Sequence, residues 1–183
     1  MSETLDRYRH IADGLTARID AVPDAAWQQQ SPCTEWTALG VVAHVVDVAH
    51  AAVDGLDGVE HVATTAADRD PGEGWAGARE RIESALADPD RAATLVDSPF
   101  GQVPFAALVD SLLRIDTLIH TWDLARATGG DEAVDADAAA ETLQVLRSID
   151  SSVLRAGAFG PELPAPAGAD VVTELMCFAG RSA

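Results

Sequence analysis

The sequence predicts an all-α protein: a four-helix bundle with additional short helices and a small hairpin. Three observations predict it. Long segments carry apolar residues every three or four positions, the connections between them are short and rich in Gly, Pro and Asp, and period-two alternation is scarce. The 183 residues suffice for one buried core, and the chain is read as a single domain over 1–183.

The first helix is predicted from Glu3 to Ala21, where Leu5, Tyr8, Ile11, Leu15 and Ile19 make one apolar stripe and Pro23 follows the end. Gln28 to Glu35 reads as a loop, with Thr34 or Thr37 able to cap the helix that follows. That second helix runs from Thr37 or Ala38 to about Leu56. Its Val41, Val42, Val45, Val46, Val48 and Val53 make it apolar nearly all round, as expected of a helix buried against several neighbours. Valine also suits a strand, but about twenty residues without a turn signal exceed a typical strand. Asp57 to Gly74, rich in Asp, Gly and Thr, is expected to be a surface loop, with a lid as its functional alternative.

A third helix is predicted from Trp75 to Ala87, and Thr94 to Pro104 reads as a hairpin or turn around Ser98-Pro99-Phe100-Gly101. A fourth helix starts near Pro104, where proline is tolerated, and ends near Thr128, where Gly129-Gly130 can supply a left-handed cap. A fifth is predicted over Asp135 to Arg155. The proline-rich tail after Gly157 is expected to wrap the bundle.

Thirty acidic residues against twelve basic ones, all arginine, give a formal charge of −18. Phosphate backbones and anionic lipid surfaces repel such a chain, so nucleic acid and membrane partners are not expected. No segment reads as an uninterrupted membrane span, since His44, Asp47 and His50 break Val41 to Val53, and the N-terminus lacks the pattern of a secretion signal. A cytoplasmic location follows. Cys33 and Cys177 are too few for a disulfide framework and are expected to stay reduced, with Cys33 read as a small buried thiol.

The chemistry falls on the fourth helix. Phe105, Val109, Leu112 and Ile119 form its stripe, and stepping by four, four and three from Leu112 lands on Asp116, His120 and Asp123. A carboxylate facing inward needs an opposite charge beside it. Asp116 and His120 project side by side, and His44 lies among valines in the middle of the second helix. Two imidazoles and one carboxylate could hold a divalent ion with positions left open, as in catalytic zinc sites. Iron, nickel and cobalt suit the same ligands. By spacing alone, a core histidine bonded to a buried aspartate explains these residues equally well. Asp123 could orient a ligand histidine, or pair with Arg126 or Arg114. Trp36 and Trp122 are expected to pack around the site. His50 lies about 120° from His44 around its helix and is not expected to be a ligand. His10 and His61 have no motif context.

The segment Ser31-Pro32-Cys33-Thr34-Glu35-Trp36-Thr37 through His44, the segment Asp116 to Gly129, and the closing Phe178-Ala179-Gly180-Arg181 resemble the actinobacterial mycothiol-dependent maleylpyruvate isomerase-like family. That family belongs to the DinB-like four-helix bundles. The resemblance implies a short form without the additional C-terminal domain of the full isomerase. It also implies that His44, Asp116 and His120 bind a divalent metal, usually zinc, and that mycothiol or a similar small thiol serves as cosubstrate. The function implied is a metal-dependent thiol transferase or isomerase acting on a small electrophile. The alternatives are a non-catalytic, stress-associated metal- or ligand-binding bundle and a biosynthetic tailoring enzyme that uses metal-activated water. Apolar bundle faces left uncovered would pair in a homodimer.

Overall fold

The computed structural model describes residues 3–63, 67, 70–99, 101–155 and 159–182. They fall into two compact units, Met1–Glu132 and Ala133–Ala183. In the first unit, helix α1 (Glu3–Ala21) buries Leu5, Tyr8, Ile11, Leu15 and Ile19, the stripe its spacing predicts. A 3-10 turn at Asp24–Ala26 leads to a loop and then to α2 (Ala38–Asp57).

All four leading amides of α2 are satisfied, which fixes where the helix begins. Ala38 and Leu39 donate to the carbonyls of Gln29 and Trp27, Gly40 donates to the Thr37 hydroxyl, and Val41 donates to the Thr37 carbonyl. Of the two candidate caps, Thr37 therefore starts the helix. Gly58, in the left-handed region at φ 67°, ends it.

Helix α2 is the one described helix long and apolar enough to cross a membrane by length and composition alone, and His44, Asp47 and His50 interrupt it as the sequence indicated. Val41, Val42, Val45 and Val46 are nevertheless buried in the core of the unit's own bundle.

Helix α3 (Pro71–Ala87) begins four residues earlier than predicted. Asp70 accepts from the Glu73 amide at 3.1 Å, and Pro71 occupies the first turn, where its missing amide hydrogen costs nothing. The expected loop over Asp57 to Gly74 is shortened accordingly, and residues 64–66 and 68–69 of it lie outside the described residues. A short helix not predicted from sequence, α4 (Pro89–Ala93), precedes a hairpin of β1 (Leu95–Ser98) and β2 (Gly101–Pro104), in which Val96 pairs with Val103. Phe100 of the predicted turn lies outside the described residues.

The predicted fourth helix is one helical path in three parts: α5 (Phe105–Leu108), a π turn (Val109–Leu113) and α6 (Arg114–Thr128). The π turn accommodates an extra residue. The inward position therefore passes from Leu112, which is 37% exposed, to the buried Leu113, correcting the stripe read from spacing. Around the bundle, α1 and α2 each pack against both α3 and α6. This is the all-α, DinB-like arrangement, with the hairpin as its strand content among the described residues.

In the second unit, α7 (Ala136–Ser148) starts at Asp135, which accepts from the Ala138 amide at 2.7 Å. The single helix predicted over Asp135 to Arg155 is broken. Ile149 is extended, and the Asp150 carboxylate takes the Ser152 amide at 2.8 Å to start α8 (Ser151–Leu154), a local bond that competes with continuing the helix. The start of the predicted tail, at Gly157, lies outside the described residues. Further along the tail an unpredicted helix, α9 (Val171–Phe178), is capped by Asp170 and packs on α7.

Candidate metal centre

The bundle brings together the three residues that the sequence placed on two helices. His44 comes from the second turn of α2, and Asp116 and His120 come from successive turns of α6. Nε2 of His44 lies 3.3 Å from Oδ1 of Asp116, and Nε2 of His120 lies 3.4 Å from the same oxygen. One potential ligand atom from each of the three lies within 4.8 Å of the other two. The His44 and Asp116 side chains are 29% and 23% exposed, whereas that of His120 is 7% exposed, so solvent reaches the group from one side.

Behind His120 stands Asp123, one turn further on and fully buried, with Oδ2 at 2.9 Å from Nδ1. The Cys33 thiol lies 3.4 Å from that same Oδ2, so Cys33, His120 and Asp123 form a second close group sharing His120. Trp36 closes another side. Its ring stacks on His44 with centroids 4.3 Å apart and planes at 27°, and lies 5.5 Å from His120.

Burial alone would raise the Asp116 carboxyl and lower the His120 imidazole. The opposite charges outweigh it. His120 and His44 hold Asp116 far below the ordinary carboxylate range. Asp116 at one ring nitrogen and Asp123 at the other, with Cys33 adding to them, hold His120 well above the ordinary imidazole range. The two carboxylates that flank His120 thus both favour its protonated form.

The remaining candidates have other surroundings. Arg126 pairs with Glu132 and lies over the Trp122 ring, and Arg114 pairs with Asp110. His50 is not in the group; its Nδ1 accepts from Arg81 at 2.7 Å. His61, which had no motif context, lies between Asp54 at 2.8 Å and Asp47 at 3.1 Å. His10 is exposed on α1.

The sequence placed Trp36 around the site but not its stacking on His44, and it missed the bond from Cys33 to Asp123. Trp36 precedes the helix, so no helical spacing carried the first; Gly40, one turn before His44, is the local feature that leaves the indole room. Nothing local carried the second.

A helical bundle with polar groups converging between two of its helices is the architecture of the DinB-like proteins. The chain belongs to the family described as mycothiol maleylpyruvate isomerase N-terminal domain, whose model matches residues 8–125, and all the residues of the group fall within that span. It is also 29% identical over 162 residues to an uncharacterized protein of Mycobacterium tuberculosis strain CDC 1551 / Oshkosh, with 83% of each chain covered. The match to an uncharacterized protein of strain ATCC 25618 / H37Rv has the same identity and coverage. No solved structure matches the chain.

Proposed function

We propose that the chain binds one divalent cation, zinc in the first instance, through Nε2 of His44, a carboxylate oxygen of Asp116 and Nε2 of His120. We propose further that this site activates a small thiol of the mycothiol kind for transfer to, or isomerisation of, a small electrophile. The observation that carries the reading is the convergence of two imidazole nitrogens on one carboxylate oxygen, at 3.3 and 3.4 Å. Ligands about 2.0 to 2.1 Å from a tetrahedral zinc ion stand about 3.3 to 3.4 Å apart, which the two imidazole–carboxylate edges match, and all three ligand atoms lie within 4.8 Å of one another.

When bound, such a cation supplies Lewis acidity that lowers a thiol's pKa and makes thiolate available near neutral pH. The chain's residues do the rest. Asp116 brings the negative charge, and His44 and His120 bring neutral nitrogen donors once His120 releases its Nε2 proton. Asp123 keeps the other proton on Nδ1, which leaves the Nε2 lone pair facing the group. Three protein ligands leave room for an exogenous one, and the partly exposed side of His44 and Asp116 is the way in for a small molecule. The family's description supports the thiol, and a reduced cytoplasmic thiol pool suits it.

Elemental analysis of the purified chain, followed by thiol titration of metal-loaded and chelator-stripped protein, tests both halves. About one zinc, nickel, iron or cobalt per chain, lost in His44→Ala, is the expected result. Metal content unchanged in His44→Ala sinks the site. Saturable mycothiol binding that survives metal removal removes the thiol mechanism and leaves a non-catalytic bundle.

A further inference from the structure

We infer that Trp36 is the positioning residue of His44: the indole face sets the direction in which that imidazole presents Nε2. The inference rests on the cation reading above.

The two imidazoles are held by different means. His120 is fixed at both ring nitrogens, by Asp123 at Nδ1 and Asp116 at Nε2. His44 has Asp116 at Nε2, while its Nδ1 has no protein partner among the described residues. A ring tethered at one nitrogen can rock, because its outer torsion has broad wells. Trp36 meets the face of this ring at 4.3 Å and 27°, a stacked contact slightly closer than is usual for aromatic pairs.

The chain accounts for the indole's place. Gly40 and His44 share one face of α2, and side chains on a helix lean toward its N-terminus, so His44 leans toward Trp36. A Cβ at Gly40 would come 3.1 Å from Cβ of Trp36 and 3.6 Å from its Cγ. Glycine therefore leaves the indole room to cross the first turn and reach the next. The backbone of Trp36 is held as well. Its amide donates to the Cys33 carbonyl at 2.9 Å, and its carbonyl accepts from the Ser31 amide at 3.0 Å and the Gln30 side-chain amide at 2.9 Å. The same loop carries Cys33 to Asp123, so the segment 30–36 supports both imidazoles from outside the ligand group.

The test uses the full chain, stripped with a chelator and titrated with Zn²⁺ against a chromophoric competitor. Supports of a ligand histidine typically change metal affinity by about ten- to a hundredfold. Trp36→Leu should weaken zinc binding by roughly that factor, while Trp36→Phe, which keeps a flat face, should stay within about threefold. Gly40→Ala should weaken binding severalfold without lowering the thermal midpoint of the metal-free protein, since alanine favours a helix over glycine. Wild-type affinity in Trp36→Leu overturns the inference. So does equal weakening in the Phe and Leu variants with matching losses of metal-free stability.

If the wild-type chain binds no zinc, the cation reading fails, and the metal-free protein decides the positioning separately. Ring-current-shifted His44 signals in its NMR spectrum that revert in Trp36→Leu sustain the inference. Identical His44 signals in the two proteins overturn it.

Discussion

Helix α2 feeds two clusters of histidine and aspartate, and they are built in opposite senses. In the first, two imidazoles from two helices point at a single carboxylate oxygen of Asp116. In the second, the single imidazole of His61 lies between two carboxylates, Asp54 and Asp47, and Arg81 binds Asp54 at 2.7 Å and His50 at 2.7 Å. The second cluster carries its own permanent cation, and its donors diverge. Among the described residues no arginine pairs with the three residues of the first, and its donors converge. Residue types alone do not distinguish a metal site from an ion-pair network; the direction of the donor atoms does.

The largest effect that could break this contrast comes from removing one imidazole from each cluster. His120→Ala should weaken zinc binding by more than about a hundredfold, beyond what loss of an outer support costs, while His61→Ala leaves it within about twofold. Equal losses in a competition titration would mean that the clusters are not different in kind. Next comes Asp123→Asn, which keeps the shape but removes the charge that holds His120. A loss of about ten- to a hundredfold in zinc affinity is expected, with the metal-free fold retained by circular dichroism.

Acidity sharpens the comparison, because the two clusters respond to it in opposite directions. His120 is held protonated in the metal-free chain, so binding displaces a proton, and zinc affinity should rise about tenfold per pH unit while that proton is present. His61 is raised above its ordinary value, chiefly by its hydrogen bond to Asp54 and then by Asp47. Its stabilisation is complete below an unfolded value of about 6.5 and is lost as pH rises through the folded value. Thermal unfolding in chelator should show a smaller decline in His61→Ala than in wild type, the remainder being the decline that His120 contributes. The smallest effect is on stability itself. His61→Ala should cost under about 1 kcal/mol at pH 6, as partly exposed and screened ion pairs do.

Much of this was legible because helical spacing is rigid. The face shared by Asp116, His120 and Asp123 follows from steps of three and four, the helix end at Gly129 follows from its cap, and the start of α2 was narrowed to Thr34 or Thr37. That His44 meets Asp116 across 72 positions did not follow from spacing, since it depends on which helices become neighbours; the family motifs carried that link. His61 was not legible at all, because a loop residue has no period to read. The π turn was hidden as well, since Leu112 and Leu113 are both leucine and only burial tells them apart. Helix α9, eight residues long, offered too short a window for a pattern beside so many prolines.

That π turn has a consequence for how the protein can change over evolutionary time. One residue corresponds to about 100° of rotation around a helix, so an insertion within a regular helix would swing everything on one side of it relative to the other. By absorbing an extra residue at Val109–Leu113, the chain sets the phase of α5 and the hairpin independently of the phase of α6. The upstream segments can lengthen, shorten or turn toward new surroundings while Asp116 and His120 keep their bearing on His44.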